Sequence, residues 1–280
     1  MSAEAQIRMK HDPQLPPSFL LLQQEGFLIS SCLAAGLTEL RNANVYNKGA
    51  FYSALFNLSV GTERLLKATV IIEHMLRTSL AVPSKKQLKE YGHNIVELYD
   101  TAELIAGSRN VALPRRESLD RINQEILELL SAFARTSRYY NLDALSASHT
   151  EKDPLSHWGE IIVAILSHDV PERQRTRILE QANLAAKAID DISITLMHGL
   201  DQRPLSTEDA LALPGLHDQA VKHAVLRLIT ILSPVRELLA SLSVGAYGLG
   251  LSVPPFPQMH EFLQWMWNDR EYVLRKKKWP

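Results

Sequence analysis

The sequence predicts an all-α protein, and three observations support that prediction. Glycine is scarce, with 12 in 280 residues. Long stretches place apolar residues at three- and four-residue steps, which is the spacing of one helix face. No alternating Val, Ile or Thr run is bounded by Asn-Gly or Asp-Gly, the pattern of a β-hairpin. We therefore expect an up-and-down helical bundle over residues 17–148 and a second helical unit over residues 153–280, with a soft boundary and the option of one shared core.

The first unit is predicted to contain four longer helices and one short element. Pro16 and Pro17 suit the entry of the first helix, and Pro83 stops the second. The spacing of Ser84 and Gln87 is that of a capping box, which predicts a short helix after Pro83. The predicted longer helices cover about 19–45, 51–80, 93–105 and 119–133.

Prolines divide the second unit. Asp153 followed by Pro154 is a favourable N-cap and first-turn pair, and Pro171 suits the start of the next helix. Pro214 is expected to close a short helix, and Pro234 to kink or break a longer one. The predicted helices cover about 154–167, 171–198, 206–212, 216–244 and 258–278, with a loop over 245–257.

Charge and cysteine content exclude several classes of protein. Lys and Arg number 30 and Asp and Glu number 31, so a uniformly basic nucleic-acid coat is excluded, although a local patch is not. Cys32 is the single cysteine, which excludes an intrachain disulfide and a cysteine-based zinc site. The N-terminal residues show no apolar signal core, and no uninterrupted apolar run reaches membrane-spanning length. We expect a cytoplasmic protein with no membrane partner.

Common catalytic and metal-binding motifs are missing. The sequence has no His-Glu-x-x-His, no Walker loop and no Gly-x-Ser-x-Gly elbow. Glu90 and His93 form the single Glu-x-x-His spacing, whereas a di-metal bundle needs two. His157 and Glu160 share a helix face, but helical histidines are usually surface or packed residues. We expect no metal and no cofactor.

The basic run 275–278 is interpreted as a solvated helix end, with phosphate binding as the alternative.

One polar and aromatic segment stands out after the helix predicted to end near residue 133. Arg138 has the planar fork of donors that grips a phosphate. Tyr139 and Tyr140 could stack on bases, and Asn141 could hydrogen-bond a base edge. We take Arg138, Asn141 and Asp143 as candidate catalytic residues, with Asp143 as an orienting group or base, and the two tyrosines as ligand-binding residues. In the competing interpretation, Arg138 pairs with a carboxylate, such as Glu63 or Glu97, and the tyrosines pack between helices.

Several stretches resemble HEPN-domain proteins. Residues 47–58 (NKGAFYSALFNL) and 61–67 (GTERLLK) resemble the central helix of that family, and residues 91–98 (YGHNIVEL) resemble the start of the next helix. The segment 138–143 lies where such proteins often carry an arginine. The resemblance covers about half the chain. It implies a helical bundle, frequent homodimerisation and, in many members, metal-independent ribonuclease activity in toxin–antitoxin or anti-phage defence systems.

The sequence departs from the catalytic pattern of that family. Active members carry an Arg followed after four to six residues by a His, whereas the first His after Arg138 is His149, with ten residues between them. We therefore expect an atypical or inactive ribonuclease, or a protein that only binds RNA or a nucleotide-containing ligand. Glu63, Arg64 and Lys67 are candidate ligand-binding residues, expected beside Arg138 at one cleft or dimer seam.

Two other functional hypotheses remain open from sequence. The first is a non-catalytic helical adaptor that docks a partner protein. The balanced charge and the lack of a strong catalytic constellation favour it. The second is a helical sensor of a small molecule.

Overall fold

The computed structural model describes residues 15–90, 92–146, 152–189 and 192–280, and it confirms the all-α class. Within those residues there are ten α-helices and no strand, apart from one isolated bridge between His198 and Pro204. Tyr91 and His149 lie outside the described residues. The helices are α1 Pro17–Asn42, α2 Lys48–Arg77, α3 Lys85–Glu90, α4 Ile95–Ser108, α5 Arg121–Arg135, α6 Tyr140–Leu145, α7 Pro154–Asp169, α8 Glu172–Ile189, α9 Thr207–Tyr247 and α10 Arg270–Arg275.

Helices α1 and α2 form a closely packed antiparallel pair. Gly36 of α1 lies so near α2 that an added Cβ would sit 2.7 Å from the Leu58 side chain. Gly61 of α2 lies equally near α1, where a Cβ would be 2.8 Å from Leu33. Because neither glycine carries a side chain, the two backbones approach closely and the neighbouring leucines are buried.

Helices α4 and α5 place the end of α5 beside the first turns of α2. The N-cap of α4 is Asn94, whose side chain accepts from Glu97 N and from Ser131 Oγ near the end of α5. The Phe133 ring then lies 6.3 Å from the Tyr52 ring on α2. The polar and aromatic segment that follows α5 therefore lies near the start of α2.

One hydrophobic core includes residues from both predicted units. Trp158 of α7 is buried with its ring 6.5 Å from Phe51 of α2. The long helix α9 supplies much of the remaining core, and it contacts α2, α5, α7 and α8. The predicted boundary between the units falls at residues 149–152, of which only Lys152 is described, and buried side chains on either side of it belong to the same cluster.

Four predicted helices in the second half had wrong bounds. Helix α8 ends at Ile189, and residues 193–197 form no helix, whereas the predicted helix continued to residue 198. Helix α9 runs unbroken through Pro214 and Pro234, because buried residues on both sides of each proline hold it against the core. The predicted final helix is a 3-10 turn, Met259–Leu263, followed by the short α10, since Asp269 N-caps a new helix by accepting from Tyr272 N.

Helix α1 is long and apolar enough to cross a membrane by length and composition. It is the single helix of that kind among the described residues. In the structure it packs along α2 and contacts α9, with Leu33, Leu37 and Leu40 fully buried.

Candidate functional site

The segment predicted as the site begins with an arginine that has no carboxylate partner among the described residues. Arg138 lies in the 3-10 turn Ser137–Tyr139 and is half-buried. Its Nε is buried without a hydrogen-bond partner, and its guanidinium lies 5.1 Å from the centre of the Tyr139 ring. Neither Glu63 nor Glu97 pairs with it. The ion pair of the competing interpretation is therefore not formed among the residues that the structure describes.

Asn141 marks the edge of a polar cleft. Its Nδ2 donates to the Tyr52 hydroxyl over 3.0 Å, which joins the short helix α6 to the first turns of α2. Beside this pair is a cleft of about 570 Å³, a volume in the range of small-molecule sites. Four separate parts of the chain line it, and the lining residues are Lys48, Tyr52, Asn141, Asp153, Leu155, His198, Leu200 and Gln202.

Hydrogen bonds hold several of these side chains in place. Lys48 Nζ donates to Gly199 O over 2.7 Å, so the first residue of α2 is tied to the turn that follows α8. Asp153 accepts from Leu155 N at the start of α7 and from Gln202 Nε2, at 2.9 and 3.0 Å. The cleft therefore presents an ammonium group, two carboxamides, a phenol, an imidazole and one carboxylate.

The phenol of Tyr52 is kept protonated by its surroundings. Burial raises the pKa of Tyr52, and the negative charge of Asp153 raises it further. Tyr140 also lies close enough to raise the pKa of Tyr52, which places that predicted residue near the cleft. At neutral pH the Tyr52 hydroxyl is thus available both to accept from Asn141 and to donate to a ligand.

Asp143 lies apart from the Asn141 contact. Both residues are in the short helix α6, two positions apart. Residues at that spacing point to different sides of a helix. Asp143 is exposed and does not line the cleft. The structure therefore does not bring the three candidate catalytic residues to one surface.

The three candidates on α2 have other partners. Glu63 accepts from Lys67 over 2.7 Å and contacts His93 over 3.0 Å. Arg64 donates to both oxygens of Glu25 on α1, at 2.8 and 2.6 Å. Tyr52 and Glu63 are eleven residues apart on one helix, which corresponds to about 16 Å along its axis. The expected cluster with Arg138 is not formed within one chain, because successive turns of α2 face α4 and α1 instead.

Sequence reasoning missed most of the cleft. Lys48 and Tyr52 stood inside the HEPN-like stretch but carried no signal of their own, and Asp153 was recognised solely as a helix cap. His198 and Gln202 lie in a segment predicted to be the end of a helix and a turn. No local spacing connects residues that are separated by up to about 150 positions, so these side chains could be grouped only by the fold.

The described residues contain no group of three or more His, Cys, Asp or Glu side chains that could hold a metal ion. His157 pairs with Glu125 over 2.9 Å, and Glu160 pairs with Lys152. These two sequence candidates for metal binding are thus engaged in ion pairs with different partners.

Comparisons with known proteins give no match: no family model, no curated protein and no solved structure is significantly similar to this chain.

Proposed function

We propose that the cleft beside Tyr52 and Asn141 binds a nucleotide-containing ligand, such as single-stranded RNA, in a HEPN-like helical protein of a defence or toxin–antitoxin system. One observation carries the proposal: the half-buried guanidinium of Arg138 has no carboxylate partner among the described residues and lies against Tyr139, three positions in sequence before Asn141, which lines the cleft. An uncommitted arginine beside an aromatic ring is suited to contact a phosphate and a base.

The neighbouring side chains add complementary groups. The side chain of Tyr139 is 54% exposed, so one ring face can stack on a base. Lys48 provides a cation in the cleft lining, and the carboxamides of Asn141 and Gln202 can donate to and accept from base edges. Asp153 is the one carboxylate in the lining, and its negative charge repels phosphate groups that enter the cleft.

In the catalytic form of this proposal, the reaction is metal-independent RNA cleavage. Imidazole is the side chain that most often transfers a proton in catalysis, and His198 lines the cleft. His198 therefore replaces Asp143 as the candidate general base, and Arg138 stabilises the charge that develops on the phosphate.

RNA binding by matched arginine variants tests the proposal. Polarisation of an end-labelled single-stranded RNA is measured at low and high salt with wild type, Arg138→Ala and Arg115→Ala. Arg115 is a suitable control because its side chain is 80% exposed and the substitution removes the same charge. We expect Arg138→Ala to weaken binding about tenfold and Arg115→Ala to change it less than about twofold.

Equal losses in the two variants, or no binding at low salt, would contradict the proposal. A parallel gel assay with EDTA present examines cleavage. We expect any cleavage to be lost in Arg138→Ala and in His198→Ala. Cleavage that persists in both variants would remove this site assignment.

The second candidate function is a non-catalytic adaptor, and one surface feature favours it. Ile192, Ile194 and Leu196 lie at alternate positions before the bridge between His198 and Pro204, and each residue is 84–87% exposed. One edge of this segment is paired, since Leu205 N donates to Met197 O over 2.8 Å. Within the described residues no backbone hydrogen bond reaches Ile194 or Leu196 on the other edge. An open apolar edge of this kind is a template for strand pairing.

The occupant that fits this edge is a second copy of the chain. The order Ile-Ser-Ile-Thr-Leu has the same apolar and hydroxyl pattern in both directions, as two-fold antiparallel pairing requires. Analytical ultracentrifugation tests this pairing with three proteins: wild type, Ile194→Lys and the exposed control Leu104→Lys. We expect a concentration-dependent dimer that is lost in Ile194→Lys alone. A monomer at every concentration would contradict the pairing of two copies at this edge.

A further inference from the structure

A second groove lies on the other side of the turn that contains Gly199 and Leu200. It is bounded by α7, by the 199–205 turn and by the first turns of α9. Its volume is about 550 Å³, which is sufficient for a small organic molecule. The walls and floor are mainly aliphatic, and they include Val45, Ile162, Leu166, Leu200, Leu205 and Leu213.

A buried histidine without a hydrogen-bond partner lines this groove. His217 is 4% exposed, and its Nδ1 has no partner among the described residues. The imidazole instead packs edge-on against Phe51, with 5.8 Å between ring centres. Burial lowers the pKa of His217 to about 4, so the ring is neutral at physiological pH. The floor of the groove is therefore polar at one point and uncharged.

The rim of the groove carries an excess of negative charge. Glu160, Asp201 and Asp209 line it, against the single cation Arg203. Asp209 is partly offset because it caps the start of α9 with Ser206, and Arg203 lies 3.5 Å from Asp201. Glu160 pairs with Lys152 outside the lining, so Asp209 is the lining carboxylate without a cationic partner among the described residues. The rim therefore keeps one uncompensated negative charge, which attracts an ammonium group and repels an anion.

We propose that this groove binds a small molecule with an apolar body and a single cationic amine. The aliphatic walls take the apolar body, and the rim carboxylates take the ammonium group. Because the buried His217 is uncharged, it does not repel the ligand. The site is distinct from the RNA cleft in its chemistry, although Leu200 lines both.

A series of ligands that differ only in their head group tests the charge preference. Phenylbutylammonium, phenylbutanol and phenylbutanoate are titrated into the full-length protein by isothermal titration calorimetry. We expect the ammonium compound to bind about tenfold more tightly than the carboxylate, with the alcohol between them. Equal affinities for the ammonium and the carboxylate, or no saturable binding by any of the three, would overturn the proposal.

Variants locate the binding in the groove. Val163 lies at its open edge with a side chain 65% exposed, so Val163→Arg should fold while placing a cation and added bulk at the entrance. We expect Val163→Arg to abolish binding of the ammonium compound. We expect Glu160→Gln to reduce the ratio of the affinity for the ammonium compound to that for the alcohol. The control Leu104→Arg, exposed on α4, should bind as wild type does.

Unchanged binding in Val163→Arg would place the ligand elsewhere and overturn the proposal. Arg138→Ala separates this site from the proposed RNA site, since it should weaken RNA binding and leave the amine titration unchanged. Loss of amine binding in Arg138→Ala would also overturn the assignment to this groove.

Discussion

Arg227 and Arg138 are two arginines that follow or lie within core helices, yet their surroundings differ completely. Arg227 in α9 donates to both oxygens of Asp120 at 2.9 and 2.8 Å, and to both oxygens of Asp169 at 2.6 and 3.0 Å. It also donates to Asn123 over 2.9 Å. Arg138, by contrast, has a buried Nε without a partner.

The difference separates a structural cation from a ligand-binding candidate. Arg227 joins the start of α5, the end of α7 and the middle of α9, so its bonds connect three core helices. Burial alone would raise the pKa of Asp169, but hydrogen bonds from Arg227 and His168 hold it below its ordinary value. Arg138 connects no helices in this way: among the described residues its guanidinium forms no ion pair and lies against the Tyr139 ring.

The largest expected effect is the loss of the Arg227 bonds. Arg227→Met leaves the Asp169 carboxylate, 15% exposed, without its main partner. We expect the free energy of unfolding to fall by about 3–5 kcal/mol, because a buried charge is left uncompensated. Urea denaturation measures it. A loss below about 1 kcal/mol would show that the Arg227 network is not structural.

His217 is buried as Arg227 is, but its side chain is neutral and its Nδ1 has no hydrogen-bond partner among the described residues. Its pKa is lowered from 6.5 to about 4 in the folded protein, so between these values only the unfolded chain takes up the proton. Above pH 6.5 protonation of His217 does not lower the free energy of unfolding. As the pH drops from 6.5 to 4, protonation of the unfolded chain lowers it by about 3 kcal/mol. We expect His217→Phe to lack this part of the pH dependence in urea denaturation.

The quantity to compare between wild type and His217→Phe is the slope of the free energy of unfolding with pH. Any cost of packing a phenyl ring in place of the imidazole is the same at each pH and does not change that slope. Parallel pH profiles for wild type and variant would contradict the buried, neutral state of the imidazole. The lowered pKa of Asp169 acts in the same direction in both proteins, and it therefore cancels in the comparison.

Two aspartate caps sharpen the comparison further. Asp120 and Asp153 each accept from a backbone N–H over 2.9 Å at a helix start, but Asp120 alone also pairs with Arg227. We expect Asp153→Ala to cost about 1 kcal/mol, as loss of a cap does, and Asp120→Ala about 2 kcal/mol. Equal costs in thermal or urea unfolding would mean that the Asp120–Arg227 pair adds nothing.

The smallest expected effect on stability is at Arg138. Arg138→Met keeps the apolar stem of the side chain and breaks no ion pair with a described residue. We expect a change within about 0.5 kcal/mol in the free energy of unfolding, which is typical of a substitution away from buried networks. A loss comparable to that of Arg227→Met would identify Arg138 as a structural residue and contradict its proposed role.

Local features of the fold were predictable, and distant ones were not. The capping box of Ser84 and Gln87 and the Asp153 cap form as predicted, because each depends on residues within one turn. Pro214 and Pro234 were predicted to end or break helices. Their local cost is real, but the burial of α9 outweighs it, and burial cannot be read from a single segment.

In the candidate site, too, single residues could be predicted from sequence, whereas their distant contacts could not. Asn141 was selected from its residue type and position, and it does line a cleft. Glu63 and Arg64 were expected beside Arg138, yet neighbouring residues on one helix point in different directions, and each has its own partner on α1 or near α4. Which residues meet His198 depends on how α2, α6 and α7 pack together.

The sequence by itself determined the helical class, the starts of several helices and the presence of one unusual polar and aromatic segment. These features follow from spacing and capping between residues close in the chain. Only the tertiary structure decided that Lys48, Asn141, Asp153 and His198 meet at one cleft and that His217 lies unpaired at the floor of another. The reason is physical: such contacts join segments whose proximity is set by burial of the shared core, and no local interaction specifies it.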